Sequence, residues 1–379
     1  MSRSVISTPD QGARAEGVGI AYHPFLHDAL VKQLDAFDFI ELPLDLYIDP
    51  AQSALLDPDD TRLKEIIGAK PCVWRGTALS IGSVECASDL AYPPALIRRI
   101  RECLEQAAAT HYTDVIGFRR LDGHDLGLVQ AVPRTQAAAR WIAARQLAAS
   151  EAIGRPVLLQ LPSDASSPPF DGLDDATFLH RIVAVAGACL VLDTADLAKM
   201  ATKADASPRD VAMRLPRQSV AVVSCSAADE TDWAMLAVLV AQTDVRSIVL
   251  RRDRNLFPID TIASDAERAA GLLTQVRDRP FVAPQFSYPT KETDPWEPDP
   301  GEFAELHAYQ AACVRFVTGP ATESVPPELA HIPDAVRETW ATDVRSWQNW
   351  RGQVDDTHKT QQIAAFLARG APNRVPRRA

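Results

Sequence analysis

The sequence predicts a (β/α)8 TIM barrel with a helical C-terminal appendage, on three observations. Eight short runs rich in apolar and β-branched residues recur by position 252. Most are apolar on consecutive residues and do not alternate, which is how strands buried on both faces read. Segments with helical spacing separate the runs, and strand–helix alternation implies a parallel sheet. Eight units within about 260 residues close into a barrel more readily than they extend an open sheet.

The strands are expected at 17–22, 38–44, 70–76, 113–119, 155–161, 188–194, 219–225 and 246–252. Between them, 93–110 places Leu96, Ile97, Ile100, Cys103, Leu104 and Ala107 at three-and-four spacing, the mark of an amphipathic helix. Residues 135–152 and 175–186 follow the same rule, with Asp175 of Asp-Ala-Thr-Phe as the expected N-cap, and 230–242 is apolar nearly all round. The barrel is expected over 17–286, after a disordered N-terminus at 1–16. Four prolines in the fifteen residues 287–301 forbid regular pairing and make that stretch an extended linker. Within 302–379, helices are expected at 302–318, 335–353 and 357–369. Trp340, Trp347 and Trp350 fall on nearly one helical face. Aromatic side chains of this size are costly to leave in water, so the face is expected to dock, on the barrel or on a partner.

Composition narrows the function classes. The chain has 379 residues, with 39 basic and 50 acidic side chains and a net charge of −11. An apolar share of 46% with 23% charged residues describes an ordinary globular protein. The acidic balance argues against nucleic-acid binding. Six scattered cysteines (Cys72, Cys86, Cys103, Cys189, Cys225, Cys313) form no C-x-x-C pair, which fits buried thiols in a reducing compartment. The polar N-terminus lacks a signal-peptide core, and the longest apolar run, 233–241, is far short of the roughly 18 residues that cross a bilayer. A cytoplasmic protein without membrane contact is expected.

No P-loop, G-x-G-x-x-G, G-x-S-x-G or H-E-x-x-H motif occurs, and Gly17-Val-Gly19 is too short to signal a dinucleotide. His111, His180 and His307 read as surface or cap residues. Chemistry in such a barrel sits at the C-terminal ends of the strands. Those ends carry His23-Pro24, Glu41 with Asp45, Arg75-Gly76, Gly117-Phe118-Arg119-Arg120, Gln160-Leu161, Asp193-Thr194-Ala195-Asp196, Ser224-Cys225-Ser226 and Arg251-Arg252-Asp253. Cys225 beside two serines suggests a nucleophile, but no histidine shares its ring of strand ends, and a buried thiol is the expected reading.

From Gly17 to about Leu273 these pieces, in this order and spacing, resemble one family. They are Gly17-Val-Gly19 with Pro24; Phe39-Ile40-Glu41 with Asp45 and Tyr47; and Arg75-Gly76 followed by Leu79-Ser80-Ile81-Gly82-Ser83. Val132-Pro133-Arg134-Thr135 follows, then Gly154 through Ser163, Leu190 through Asp193, and Arg252-Asp253-Arg254-Asn255 with Pro258. The chain resembles the multinuclear non-haem iron-dependent oxidative enzymes, a branch of the xylose-isomerase-like barrels. The resemblance implies a site for two or three irons held by His, Glu, Asp and Asn. It also implies oxidative remodelling of ribosomally made peptides, usually presented by a partner protein.

Most of that ligand set is replaced here. The family's strand-three His stands as Arg75, its Glu-His pair as Gly117-Phe118, and its Glu-Asn as Gln160-Leu161. Asp193 is kept, but the Asn-Asn after it reads Ala195-Asp196. Two further His read Ser224 and Ala228, and the last Glu reads Arg251. Glu41 remains, with Asp45 for a second acid. Oxidative iron needs imidazole and carboxylate ligands, whereas a guanidinium is a permanent cation that repels metal.

Three arrangements are therefore open. Arg75, Arg251, Glu41 and Asp193 can form an ion-paired plug; Arg75, Arg119, Arg251 and Arg252 can form an anion pocket; Glu41, Asp45, Asp193, Asp196 and Asp253 can form a reduced metal site. The expected function is a non-catalytic peptide-binding scaffold or partner in ribosomal-peptide maturation, without a cofactor. The alternatives are an iron enzyme with a carboxylate-rich site and a metal-free enzyme for an anionic small molecule with Asp193 or Glu41 as base. A peptide or protein partner is expected, while homo- or hetero-oligomerisation is left open.

Overall fold

A computed structural model describes residues 15–48, 61–84, 90–162, 172–227, 229–251, 259–275, 300–319, 324–330, 332 and 334–353. Eight parallel strands close into a barrel. In chain order they are β1 (Gly17–Ala21), β2 (Phe39–Pro43), β3 (Cys72–Gly76), β4 (Tyr112–Val115), β7 (Val157–Gln160), β8 (Leu190–Asp193), β9 (Val220–Cys225) and β10 (Ser247–Leu250). Seven of the expected apolar runs supply one each, shortened by a residue or two at an end. β10 closes the ring on β1 with Ser247 opposite Gly17 and Leu250 opposite Ile20.

One run splits. The 113–119 segment yields β4 and then, after Ile116-Gly117, a separate strand β5 (Phe118–Leu121), which turns back into β6 (His124–Gln130) as an antiparallel hairpin. The hinge is Asp122-Gly123, with φ of 49° and 79°. Two consecutive left-handed residues are the requirement of a type I′ turn, which Asp-Gly meets at little cost.

The barrel interior is a small apolar cluster of its own, apart from the main core outside the strands. Ala21, Phe39, Val73, Leu158, Val191, Val222 and Val249 make its floor, with Cys189. Gly19 is needed here because a Cβ would lie 2.4 Å from the Phe39 ring, which fills the space a side chain would take.

Helices α1 (His27–Leu30), α2 (Thr61–Ala69), α3 (Pro94–Gln106), α4 (Gln136–Ile153), α5 (Asp175–Ala186), α6 (Thr194–Lys203), α7 (Pro208–Arg214), α8 (Glu230–Gln242) and α9 (Ile259–Thr274) surround the strands. The cap of α5 is Asp174, whose side chain accepts from the Thr177 amide; the expected cap, Asp175, is one residue inside. It is buried instead against Arg134, whose Nε donates to it at 2.8 Å. The N-terminal expectation also shifts: the Ala15 carbonyl accepts a 2.6 Å bond from Ser247, so 15–16 are held to the barrel, while 1–14 lie outside the described residues.

The appendage packs on the barrel in cis. α10 begins at Pro300, so the last two residues of the expected linker are helical, and it runs to Thr318; α11 spans Asp334–Gln353. Fully buried Gln310 on α10 donates to the Gly82 carbonyl at 2.6 Å and accepts from the Val84 amide at 2.9 Å. Phe303 meets Trp141 edge-on with centroids 5.1 Å apart, and Tyr309 meets Phe118 of the hairpin at 6.4 Å. Trp340 is buried. The Trp347 and Trp350 side chains, the helix expected at 357–369 and residues 276–299 lie outside the described residues.

Candidate functional site

Side chains on a strand alternate between faces, so the residue two positions beyond each floor residue also points into the barrel. Seven strands place a polar group there: Ala21 is followed by His23, Phe39 by Glu41, Val73 by Arg75, Leu158 by Gln160, Val191 by Asp193, Val222 by Ser224 and Val249 by Arg251. A polar ring thus caps the apolar floor at the C-terminal mouth. All seven come from the strand ends singled out in the sequence.

Arg251 is the centre of the ring. Its Nε donates to Glu41 Oε1 at 2.8 Å and its Nη2 to Glu41 Oε2 at 2.7 Å, a bidentate pair. Nη1 donates to Gln160 Oε1 at 3.0 Å and to Ser224 Oγ at 2.9 Å, and lies 3.7 Å from Asp193 Oδ2. The Ser224 hydroxyl in turn donates to Asp193 Oδ2 at 2.6 Å. Arg251 is 4% and Glu41 7% exposed, so this is a dry ion pair whose remaining donors are hydrogen-bonded, the condition under which burial of charge is tolerated. Asp193 also caps α6 by accepting from the Ala195 amide at 2.9 Å. Gln160 Nε2 faces Asp196 Oδ2 at 3.5 Å, while Gln160 Oε1 accepts a second bond, from Arg75 Nε at 3.0 Å.

Asp45 and Arg119 belong to a second cluster outside the ring. Asp45, on the turn after β2, accepts from the Thr77 amide at 2.9 and 3.0 Å and from its hydroxyl at 3.0 Å. Arg119 grips Asp125 of β6 through Nε at 2.8 Å and Nη2 at 3.2 Å, and its Nη1 reaches Thr77 Oγ1 at 3.2 Å and Asp45 at 3.5 Å. Thr77 and Asp125 had no signal as site residues in the sequence, because their roles depend on the hairpin. The same holds for Asp114, fully buried beneath this cluster. Burial above all, and then the charge of Asp45, raises its carboxyl from 3.8 to about 7, opposed by the bonds from Tyr112 and Leu79. Tyr112 Oη donates to its Oδ2 at 2.8 Å and the Leu79 amide at 3.1 Å.

Among the described residues, the arginines of the expected anion pocket do not converge on one open site: Arg251 and Arg119 are both spent on carboxylates, and Arg252, with Asp253, lies outside the described residues. Cys225 alternates outward, away from the ring. Burial pushes its thiol up to about 11, so it stays protonated at neutral pH. The other described cysteines (72, 103, 189 and 313) are likewise buried and form no disulfide among the described residues.

The residues at the ring do not fit iron. Among the described residues no three His, Cys, Asp or Glu gather as a metal group. Glu41 and Asp193, the two family carboxylates kept here, both face the Arg251 guanidinium. A fixed positive charge stands between the oxygens that a cation would need.

Comparison with known proteins adds the family. Residues 17–274 match the model of the RiPP precursor modification enzyme MbnB/TglH/ChrH. A UPF0276 protein of Nitrosospira multiformis is 24% identical over 285 residues, covering 71% of this chain and 97% of that protein. One from Bordetella bronchiseptica is 22% identical over 289 residues, covering 71% and 96%. Among solved structures, an L-ribulose 3-epimerase (18% identity, TM-score 0.44) covers 69% of this chain and 95% of its own. A xylose isomerase domain protein from Planctomyces limnophilus (14% identity, TM-score 0.43) covers 69% and 98%. Among the described residues no helix is long and apolar enough to cross a membrane.

Proposed function

The chain belongs to the MbnB/TglH/ChrH family of RiPP precursor modification enzymes, and within it we propose a non-catalytic role. The barrel is a metal-free scaffold that binds a peptide or protein partner in ribosomal-peptide maturation. One observation carries this reading: the Arg251 guanidinium lies between Glu41 and Asp193, bonded to Glu41, Gln160 and Ser224. It supplies, as a permanent charge, the neutralisation that metal ions supply in the family. An arginine cannot change oxidation state or open a coordination position to oxygen, so the family's chemistry has no place to occur in this ring.

The reading of a working iron site built from carboxylates alone is less well supported. Asp45 accepts three bonds from Thr77 outside the ring, Asp193 is a helix cap, and Glu41 is chelated by arginine. Metal analysis of protein produced in iron-supplemented cells and purified without chelator tests the proposal. Well under one iron per chain is expected. Two or three irons per chain, lost on Asp193→Ala, would overturn it.

A further inference from the structure

Three described arginines near the mouth, Arg75, Arg119 and Arg251, differ in what they have left to give. A guanidinium carries five N–H donors on three nitrogens in a flat fork. Arg251 engages all three nitrogens, on Glu41, Gln160 and Ser224. Arg119 also engages all three, on Asp125 and Thr77. Arg75 engages Nε alone, on Gln160, and makes no ion pair among the described residues. It is half-buried at the rim, so solvent reaches it.

We propose that Arg75 is a receptor for a carboxylate on a ligand at the barrel mouth, taking both carboxylate oxygens on its two Nη groups. This deepens the scaffold reading and rests on it. Three features support the site. First, its anchor is rigid: Gln160 Oε1 is shared between Arg75 Nε and Arg251 Nη1, so the fixed inner arginine orients the outer one. A fork held in place before binding loses less conformational freedom than a free surface arginine. Second, Glu41 and Asp193 already face Arg251, which leaves the Arg75 charge without a close counter-ion in the ring. Third, the site selects among anions: one guanidinium charge balances a singly charged carboxylate and leaves a phosphate dianion half-compensated. For a peptide ligand, the carboxylate is an acidic side chain or a free C-terminus.

The test uses the full chain and two readouts. In the first, the native protein is treated with phenylglyoxal and its modified arginines are mapped by mass spectrometry. Arg75 should react well before Arg251 or Arg119 and should be protected by millimolar glutarate. Equal inertness of all three, or reaction at Arg75 without protection, overturns the assignment. In the second, binding is titrated for three probes: an acetylated and amidated Gly-Gly-Glu-Gly-Gly peptide, acetyl-pentaglycine with a free C-terminus, and inorganic phosphate. At least one peptide should bind more tightly than phosphate, and which one does identifies the carboxylate. Arg75→Gln should weaken it at least tenfold, with Arg75→Lys intermediate because charge remains and the fork is lost. Equal binding by Arg75→Gln, preference for phosphate, or no peptide binding overturns the proposal. Iron content of the same preparation reports separately on the scaffold reading, so the two can fail independently.

Discussion

Two arginine–carboxylate clusters lie a few residues apart at the barrel mouth, and they are built for different tasks. The inner one joins Arg251 of the last strand's end to Glu41 of the second strand, 210 positions apart in sequence. It fills the barrel at the positions where the family resemblance implies metal ligands. The outer one joins Arg119 to Asp125, six positions away across the hairpin, and through Thr77 to Asp45. It fastens a hairpin to the loop after β3. The Arg251–Glu41 pair is 4% and 7% exposed and the Arg119–Asp125 pair nearly as buried at 6% and 10%, but Asp45 in the outer cluster is 32% exposed. The same side-chain chemistry therefore supports barrel closure in one place and local attachment in the other.

Substitutions separate the two clusters. Arg251→Ala leaves Glu41 buried without a counter-charge and should cost roughly 3–5 kcal/mol in urea unfolding. An unchanged midpoint would mean that Arg251 points into solvent and that the ring is open. Arg119→Ala leaves Asp125 still bonded to the Gly127 amide, and should cost less, roughly 1.5–3 kcal/mol. Its distinguishing sign is local. The Gly127 amide, which donates to Asp125 at 2.8 Å, should exchange hydrogen faster, while the amides of β10 do so only through global destabilisation.

Asp114 adds a pH signature to the outer cluster. Its carboxyl keeps a proton to about pH 7 when folded, against 3.8 ordinarily. Between those values the folded chain holds a proton that the unfolded chain has released. This contribution to stability is therefore complete below about pH 4 and is lost as pH rises to 7, with a slope of up to about 1.4 kcal/mol per pH unit. Asp114→Asn should remove that slope between pH 4 and 7; an identical pH profile in the variant would show that Asp114 titrates as an ordinary carboxylate. The smallest effect is expected at Arg75. Arg75→Gln should alter stability by no more than about 0.5 kcal/mol, since Gln160 stays bonded to Arg251. A cost comparable with that of Arg251→Ala would make Arg75 part of the inner ion pair.

The eight barrel strands were legible because strands buried on both faces must be apolar in succession, and most of the runs have that pattern. The hairpin was not, because Phe118 follows β4 so closely that 113–119 reads as one strand. Its signal, Asp122-Gly123, was present but unused. Ring membership was legible from strand ends and the family pattern. The pairing was only partly so: Arg251 does meet Glu41 and Asp193, yet Arg75 bonds Gln160, and Arg119 turns to Asp125. Those partners are set by barrel closure and by the hairpin, which bring together residues whose separation in sequence carries no hint of contact. Asp174 replacing Asp175 as a cap shows the same limit at smaller scale, since tertiary pairing with Arg134 holds the second aspartate.

The central claim is that a guanidinium stands where the family places metal. X-ray diffraction from crystals grown with ferrous iron, measured on both sides of the iron absorption edge, tests it directly. The account predicts side-chain density of Arg251 between Glu41 and Asp193 and no anomalous peak there. An iron peak coordinated by Glu41 and Asp193, with Arg251 displaced from the ring, would contradict it.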